Sequence, residues 1–284
     1  MVRDLKDKIM KSVKNLPTLP TIYSALQESM TNPRVTTEEI AKIISSDQAS
    51  AFKVLRVVNS PFYGFSGRIS TISAAILHLG FNEVRNIVLA LSVINIFQEN
   101  KVISNFRPVD FWKHSIAVGV ATRLIGNTMH ITNLENYFLA GILHDIGKLL
   151  FFQLADTEYS KVLDKVDESK CTIIEAEKEI LGLCHTDAGT ILAEKWKLPP
   201  SIKSVIEYHH SNFKLGRDEN LIATVHVADI FVRMLQFGYP GDDLVPIPNR
   251  KVWEILNLPD DIFSSILDVL EQDFYSTADL VLKN

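Results

Sequence analysis

The string Leu143-His144-Asp145-Ile146-Gly147-Lys148 sets an imidazole beside a carboxylate within an apolar run, with a lysine one turn later. A buried carboxylate without a partner is strongly disfavoured, so this pair demands one, and a metal ion is the strongest candidate. On a helix His144 and Lys148 are i, i+4 neighbours, and Asp145 and Lys148 are i, i+3 neighbours. A ligand pair and a cation therefore share one face, while Gly147 keeps the backbone open. That arrangement suits a metal-bound phosphate with a lysine beside it.

Two-metal phosphohydrolase chemistry needs further ligands from separate helices, and the chain offers them. His114 lies in Phe111-Trp112-Lys113-His114-Ser115, and His185 in Cys184-His185-Thr186-Asp187-Ala188-Gly189. His209 and His210 end Ile206-Glu207-Tyr208-His209-His210, and Asp229 lies in Val227-Ala228-Asp229-Ile230. Asp145 has two oxygens and can bridge two ions. Mixed His/Asp donors without thiolates suit a divalent transition metal such as Fe, Mn, Zn or Ni. Two ions about 3.5–4 Å apart clamp a phosphate and generate a hydroxide nucleophile near neutral pH.

Each position also has a structural reading. His114, among Ala117, Val118 and Ala121, fits a core histidine bonded to a carbonyl. Asp229 fits an ion pair with Arg233 at i+4. His209-His210 fits an exposed helix end, where the dipole favours histidine. Lys148 fits a surface lysine snorkelling past Leu149 and Leu150. Cys184 beside His185 fits a small core residue better than a nucleophile, and His78, His130 and His226 match no ligand pattern.

The elements that must position these residues are helices. Thr36 to Glu39 is a capping box opening a short helix, and Asp47 begins another that stops at Asn59-Ser60-Pro61. Helices over 71–79 and 82–98 follow, and six short helices in the first hundred residues make an N-terminal bundle, its Phe62-Tyr63-Gly64-Phe65 loop serving packing. The polar stretch Gln98 to Pro108 is the best boundary. Beyond it helices are expected over 110–127, 133–152, 157–166, 171–182, 186–197, 200–210, 218–237, 248–257 and 260–283. Pro199-Pro200 fits a helix start. No alternating β pattern of useful length occurs. The expectation is an all-α chain with an N-terminal helical subdomain at 1–105, a metal-site domain at 106–284, and ligands converging in a bundle core.

The order His…His-Asp…His…His-His…Asp is similar to the metal signature of the HD superfamily of phosphohydrolases, in the form found in HD-GYP cyclic di-GMP phosphodiesterases. Leu16-Pro17-Thr18-Leu19-Pro20, Ile43-Ile44-Ser45-Ser46-Asp47, Val58-Asn59-Ser60-Pro61-Phe62-Tyr63-Gly64 and Ile72-Ser73-Ala74-Ala75-Ile76-Leu77-His78-Leu79-Gly80 resemble the HDOD family of bacterial signalling output domains. The resemblance implies an HD-superfamily helical core. It also implies one metal held by His114, His144, Asp145 and Asp229, and another by Asp145, His185, His209 and His210. Lys148 would contact substrate phosphate, and Asp110 sits where some HD-GYP proteins carry a further ligand. Many HDOD members have lost ligands and serve as noncatalytic output or protein-binding modules, whereas here every ligand position is filled. An HD-GYP enzyme carries Gly-Tyr-Pro shortly after its paired histidines. The interval Ser211 to Arg217 has none, and Gly238-Tyr239-Pro240 falls after Asp229 in a turn context, which argues against cyclic di-GMP as substrate.

Composition bounds the rest. The 284 residues suffice to bury a substantial core, and 46% hydrophobic with 22% charged residues is ordinary for a globular chain. A net charge of −5 argues against nonspecific nucleic-acid binding. Two cysteines, Cys171 and Cys184, without metal-like spacing indicate a reducing compartment. No secretory signal is visible: Met1 to Lys14 reads as an amphipathic helix, and the apolar stretch Ile87 to Phe97 is too short to span a bilayer. The expectation is a cytoplasmic signalling protein without membrane or nucleic-acid partners. Its ligand would be a phosphorylated small molecule or nucleotide second messenger, with signalling proteins as partners and phosphoester hydrolysis as the activity of an enzymatic form.

Overall fold

The helix-start signals are realised side chain by side chain. In the computed structural model Thr36 Oγ1 accepts the Glu39 N–H at 3.2 Å, while Glu39 Oε2 accepts the Thr36 N–H at 2.9 Å. Asp47 Oδ1 accepts the Ala49 N–H at 3.1 Å, and Asn59 ends that helix, its Nδ2 donating to the Leu55 and Ile69 carbonyls at 2.7 Å each. Such caps satisfy end groups that have no partner within the helix. Residues 12, 18–29, 32, 34–97, 101–210 and 218–282 are described. The expected helix of Met1 to Lys14 (Ser12 apart), the motif residues Leu16-Pro17, residues 98–100 of the expected boundary and the interval Ser211 to Arg217 lie outside them.

The chain divides into two compact units. One comprises residues 18–97 and 267–284. It contains α1 (Thr21–Ser29), α2 (Thr37–Ser45), α3 (Gln48–Val58), a 3-10 turn at Pro61–Tyr63, α4 (Ile72–Leu79) and α5 (Phe81–Ile96). α5 is buried almost all round, Val84 and then every position from Asn86 to Ile94, as expected of a helix wrapped by its neighbours. Phe62 is buried and meets Tyr63 edge to face, so the aromatic loop serves packing.

The other unit, described over residues 101–210 and 218–266, carries every candidate ligand. Its helices are α6 (Pro108–Thr128), α7 (Leu134–Leu143), α8 (Gly147–Leu154), α9 (Asp156–Ser169), α10 (Ile173–Leu181), α11 (His185–Lys195), α12 (Pro200–Tyr208), α13 (Glu219–Met234) and α14 (Arg250–Leu256). α6 packs on α7 and α13, and α11 packs on α8 and α12. The last helix, α15 (Ile262–Leu282), begins in this unit and continues as part of the first. No β-strand occurs among the described residues, so the all-α expectation holds; an isolated bridge pairs Ile103 with Phe106.

Three expectations change. Residues 267–284 group with the N-terminal helices instead of the metal-site domain: the apolar stripe of α15 (Leu270, Phe274, Ala278, Val281) is buried, but a stripe in sequence does not say which partner covers it. The boundary expected within Gln98 to Pro108 falls at the start of that stretch, between Phe97 and Gln98. Its later residues are packed into the second unit, where Phe106 is fully buried against Phe111, Phe152 and Tyr159. The helix expected over 133–152 is two helices, broken by a turn at residues 144–146. Residues 134–154 taken together are long and apolar enough to cross a membrane, but nearly all of their most apolar part is buried inside the protein.

Candidate metal centre

The break between α7 and α8 occurs at the His-Asp pair itself. Ile146 N donates to Leu143 O at 3.1 Å and Lys148 N to Asp145 O at 2.9 Å, tight i to i+3 bonds that interrupt the α pattern. Gly147 allows this turn to press against the start of α11: a Cβ there would lie 1.9 Å from the His185 carbonyl oxygen. The glycine is thus required by close approach to His185, beyond the open backbone expected from sequence.

Five segments deliver the seven candidate ligands: α6 (His114), the 144–146 turn (His144, Asp145), the first residue of α11 (His185), the end of α12 (His209, His210) and α13 (Asp229). They form two groups, Asp145 with His185, His209 and His210, and His114 with His144 and Asp229, each with donor atoms within 4.8 Å of one another. Asp145 faces both. Its Oδ1 lies 3.2 Å from His185 Nε2 and 3.4 Å from His209 Nε2, while its Oδ2 lies 3.2 Å from His144 Nε2. In the second group Asp229 Oδ1 is 3.0 Å from His114 Nε2 and 3.9 Å from His144 Nε2. All are buried except His210, which is half-buried.

The hydrogen bonds on the far side of the rings give this geometry its chemistry. Nδ1 of His144 meets the Gly141 carbonyl at 2.7 Å, Nδ1 of His209 the Val205 carbonyl at 3.0 Å, and Nδ1 of His185 Glu177 Oε2 at 2.6 Å. Each contact requires a proton on Nδ1, so a neutral ring presents a bare lone pair at Nε2. The Nε2 atoms of His114, His144, His185, His209 and His210 and Asp145 Oδ1 are all buried without an aligned hydrogen-bond partner. Acceptors facing acceptors in a dry interior call for a cation, and carbonyl- or carboxylate-tethered histidines are how proteins orient metal ligands.

The electrostatics agree. Burial pulls the His114 and His209 imidazoles down to about 4, and burial together with the neighbouring His209 and His185 holds His210 well below its ordinary value. Burial opposes ionisation of Asp145 and Asp229, yet both carboxyls lie well below the usual range. His144 and Lys148 outweigh burial at Asp145, and Arg233 and His114 do so at Asp229. For His144 burial is outweighed by Asp145 and Asp229, which raise it. The centre thus combines ionised carboxylates with mostly neutral imidazoles, the donor set a divalent ion requires.

Residues 16–212 match the family model for the HDOD domain. The chain belongs to the HDOD family. A solved HDOD domain protein of unknown function from Geobacter sulfurreducens is 26% identical, with a TM-score of 0.82 over 98% of this chain and 97% of that one. A candidate metal-dependent phosphohydrolase from Shewanella amazonensis SB2B shares the fold at 20% identity, with a TM-score of 0.70 over 99% of each chain. An uncharacterised protein of Treponema pallidum (strain Nichols) is 25% identical over 252 residues, 84% of this chain. The match is 46% of that relative, so this HDOD chain spans about half the length of the curated protein it matches.

Several neighbours of the centre differ from expectation. Lys148 is neither a surface lysine nor free: it is fully buried and its Nζ donates to Asp145 Oδ2 at 2.5 Å. Asp110 pairs with Arg107 and Lys113 and joins neither ligand group. The pairing of Asp229 with Arg233 does exist, Arg233 Nε donating to both oxygens at 3.0 and 3.2 Å, and it coexists with the contacts to His114 and His144. Gly238, in the Gly-Tyr-Pro string, is no ordinary turn residue, for at φ +76° its position would place a Cβ 2.2 Å from the His114 nitrogen. His226 supports the site from outside, its Nδ1 meeting the His209 carbonyl at 2.8 Å, while His78 and His130 are exposed. Cys184 is buried, and burial pushes its thiol up, which suits packing and not nucleophilic attack.

Sequence reasoning missed Glu177 and Asp242. Glu177 is fully buried and grips His185 through both the ring and the backbone N–H, the latter at 2.8 Å. Asp242 accepts from Arg233 at 2.8 Å and from the Ile173 N–H at 2.9 Å, fixing the arginine that fixes Asp229. Glu177 sits in an acidic, exposed-looking helix sequence; its only signal is that it interrupts the apolar face of α10.

Proposed function

We propose that this HDOD protein is a cytoplasmic signalling protein that binds two divalent transition-metal ions, drawn from Fe, Mn, Zn and Ni, and hydrolyses a phosphoester. The observation that carries the reading is the convergence of unpartnered imidazole nitrogens on Asp145, with one carboxylate oxygen turned to each ligand group. His114, His144, Asp229 and Asp145 Oδ2 would hold one ion, and Asp145 Oδ1, His185, His209 and His210 the other. When bound, such a pair supplies Lewis acidity toward a phosphoryl group and acidifies water near neutral pH. The protein's own contributions are ligand orientation through Glu177 and the Gly141 and Val205 carbonyls, water exclusion by the buried ring cluster, and positive charge from Lys148. For Lys148 to meet a substrate phosphate it must leave Asp145 Oδ2. The name of the Shewanella amazonensis protein accords with this activity. A phosphorylated small molecule or nucleotide second messenger is the proposed substrate class, with signalling proteins as partners and no nucleic-acid or membrane partner.

A second reading is favoured by the burial of Lys148 and of six of the seven ligands. In it the closed centre is a staple or sensor within a noncatalytic output module. Elemental analysis of anaerobically purified protein, followed by a panel of cyclic dinucleotides, mononucleotides and a chromogenic phosphodiester, separates the two. Hydrolysis that is lost in both Asp145→Asn and Lys148→Ala supports the enzyme. Metal content with equal, metal-independent background rates in all three proteins supports the module. Absence of metal and of any uptake overturns the centre itself.

A further inference from the structure

Beside the centre lies a cavity of about 400 Å³, bounded by His114 on α6, Arg233 and Gln236 near the end of α13, and Tyr239, Asp242 and Asp243 on the following loop. Its charges are unevenly compensated. Arg233 is committed to Asp229 and Asp242, and Asp242 accepts in addition the N–H groups of Ile173 and Leu244. Asp243 is exposed and forms no ion pair among the described residues. Arg107 and Lys113, the cations closest to His114 in sequence, are tied to Asp110 and do not line the cavity. Burial pushes the Tyr239 hydroxyl up to about 12 against the lowering hydrogen bond from Asn105, and the carboxylates of Asp243, Asp167 and Asp242 add to the push.

His114 closes the argument from the other side. It is fully buried, lines the cavity, and has no hydrogen-bond partner for Nδ1, while Nε2 lies against Asp229 in the ligand group. A phosphate approaching here meets an uncompensated carboxylate; a hydrated divalent cation is attracted by it and finds an imidazole and a carboxylate behind it. We infer that this cavity is the port through which a divalent cation reaches the His114, His144 and Asp229 group, with Asp243 steering it from the lip. The inference rests on the metal-binding reading above and concerns the route, not the ligands.

The test is stopped-flow uptake of Co²⁺ by chelator-treated full-length protein, read by the cobalt absorption bands. Asp243→Lys and the milder Asp243→Asn are compared with wild type and with Asp260→Lys, an equal charge change at an exposed residue outside the cavity. At low ionic strength Asp243→Lys should slow uptake roughly three- to tenfold, with Asp243→Asn intermediate, Asp260→Lys near wild type and the final spectrum and stoichiometry unchanged. The difference should shrink at about 0.5 M salt, where screening reaches only a few Å. Equal uptake rates in all four proteins, with full cobalt loading, overturn the port while leaving the centre intact. No cobalt spectrum in any of them overturns the metal reading and the port with it.

Discussion

Glu177 Oε2 accepts two hydrogen bonds from His185, one from ring Nδ1 at 2.6 Å and one from the backbone N–H at 2.8 Å, with both side chains fully buried. The double contact fixes the rotation of the ring as well as the start of α11, and it directs Nε2 at Asp145 Oδ1. A carboxylate in this position also raises the basicity of the imidazole it holds. Glu177→Ala should therefore weaken the His185-side ion by about 10–100-fold, with Glu177→Gln milder because it still accepts a hydrogen bond. Competition against a chromogenic chelator measures this, and unchanged affinity in Glu177→Ala would remove the positioning role.

Asp145 and Lys148 make opposite predictions. Asp145→Asn removes the charge of the bridging group and should lose more metal than any single histidine change. It also leaves the buried Lys148 ammonium unpaired, a defect costing about 3–5 kcal/mol in such settings. Lys148→Met removes the cation but keeps volume, leaving Asp145 to be compensated by metal alone. Its thermal midpoint should fall in chelator and rise on adding Mn or Zn by more than the wild-type rise. Equal metal-induced shifts in the two proteins, read by differential scanning fluorimetry, would show that Lys148 and metal do not compete for Asp145 Oδ2.

The all-α fold and the candidate ligands were legible in the sequence for different reasons. Helix starts such as Thr36 and Asp47 carry local capping chemistry, so they need no tertiary information. His114, His144, Asp145 and Asp229 stood out as polar side chains beside apolar runs, whereas His185, His209 and His210 lie in polar stretches, and the division into two groups was implied by the family resemblance alone. The break at 144–146 was not visible, since the turn there packs closely against the His185 carbonyl, about forty positions away in the chain, and local sequence does not record that approach. For the same reason Lys148 was open to a surface reading: i, i+3 spacing permits the bond to Asp145 but does not say that both are sealed from water. Glu177 and Asp242 escaped because an acidic residue in a polar segment has no local anomaly, and only the fold brings it to a buried donor.

Gly147 yields a prediction about packing. A methyl group there would sit 1.9 Å from the His185 oxygen and 2.7 Å from the Gly189 nitrogen, both backbone atoms that cannot swing away. Gly147→Ala should push the 144–146 turn off α11, at a cost of about 3 kcal/mol or more, in the range of severe overpacking. Metal content should fall along with the thermal midpoint, because the displaced turn carries His144 and Asp145. A protein of wild-type stability and metal content would mean the turn tolerates the displacement.

The buried imidazoles set the acid limb of stability. His114 and His209 titrate near 4 in the folded chain against 6.5 when unfolded, both lowered chiefly by burial. Between these values the unfolded chain binds more protons than the folded one, so stability rises with pH across the window and is lost as pH falls from 6.5 toward 4. His210, also lowered by burial, adds to the loss; His144, raised by its carboxylates, opposes it by favouring the protonated folded state below its own folded value. With His226, also lowered by burial, four groups against one give a net loss on acidification, and below the ordinary carboxyl value of 3.8 proton uptake by Asp145 and Asp229 in the unfolded chain extends it. Metal holds the same rings neutral, so the loaded protein should keep its midpoint to lower pH and then release ions as protons compete for the ligands. Thermal melts of chelator-treated protein from pH 7 to pH 4 measure the slope. A flat midpoint over that range would mean that these rings are not held neutral by burial.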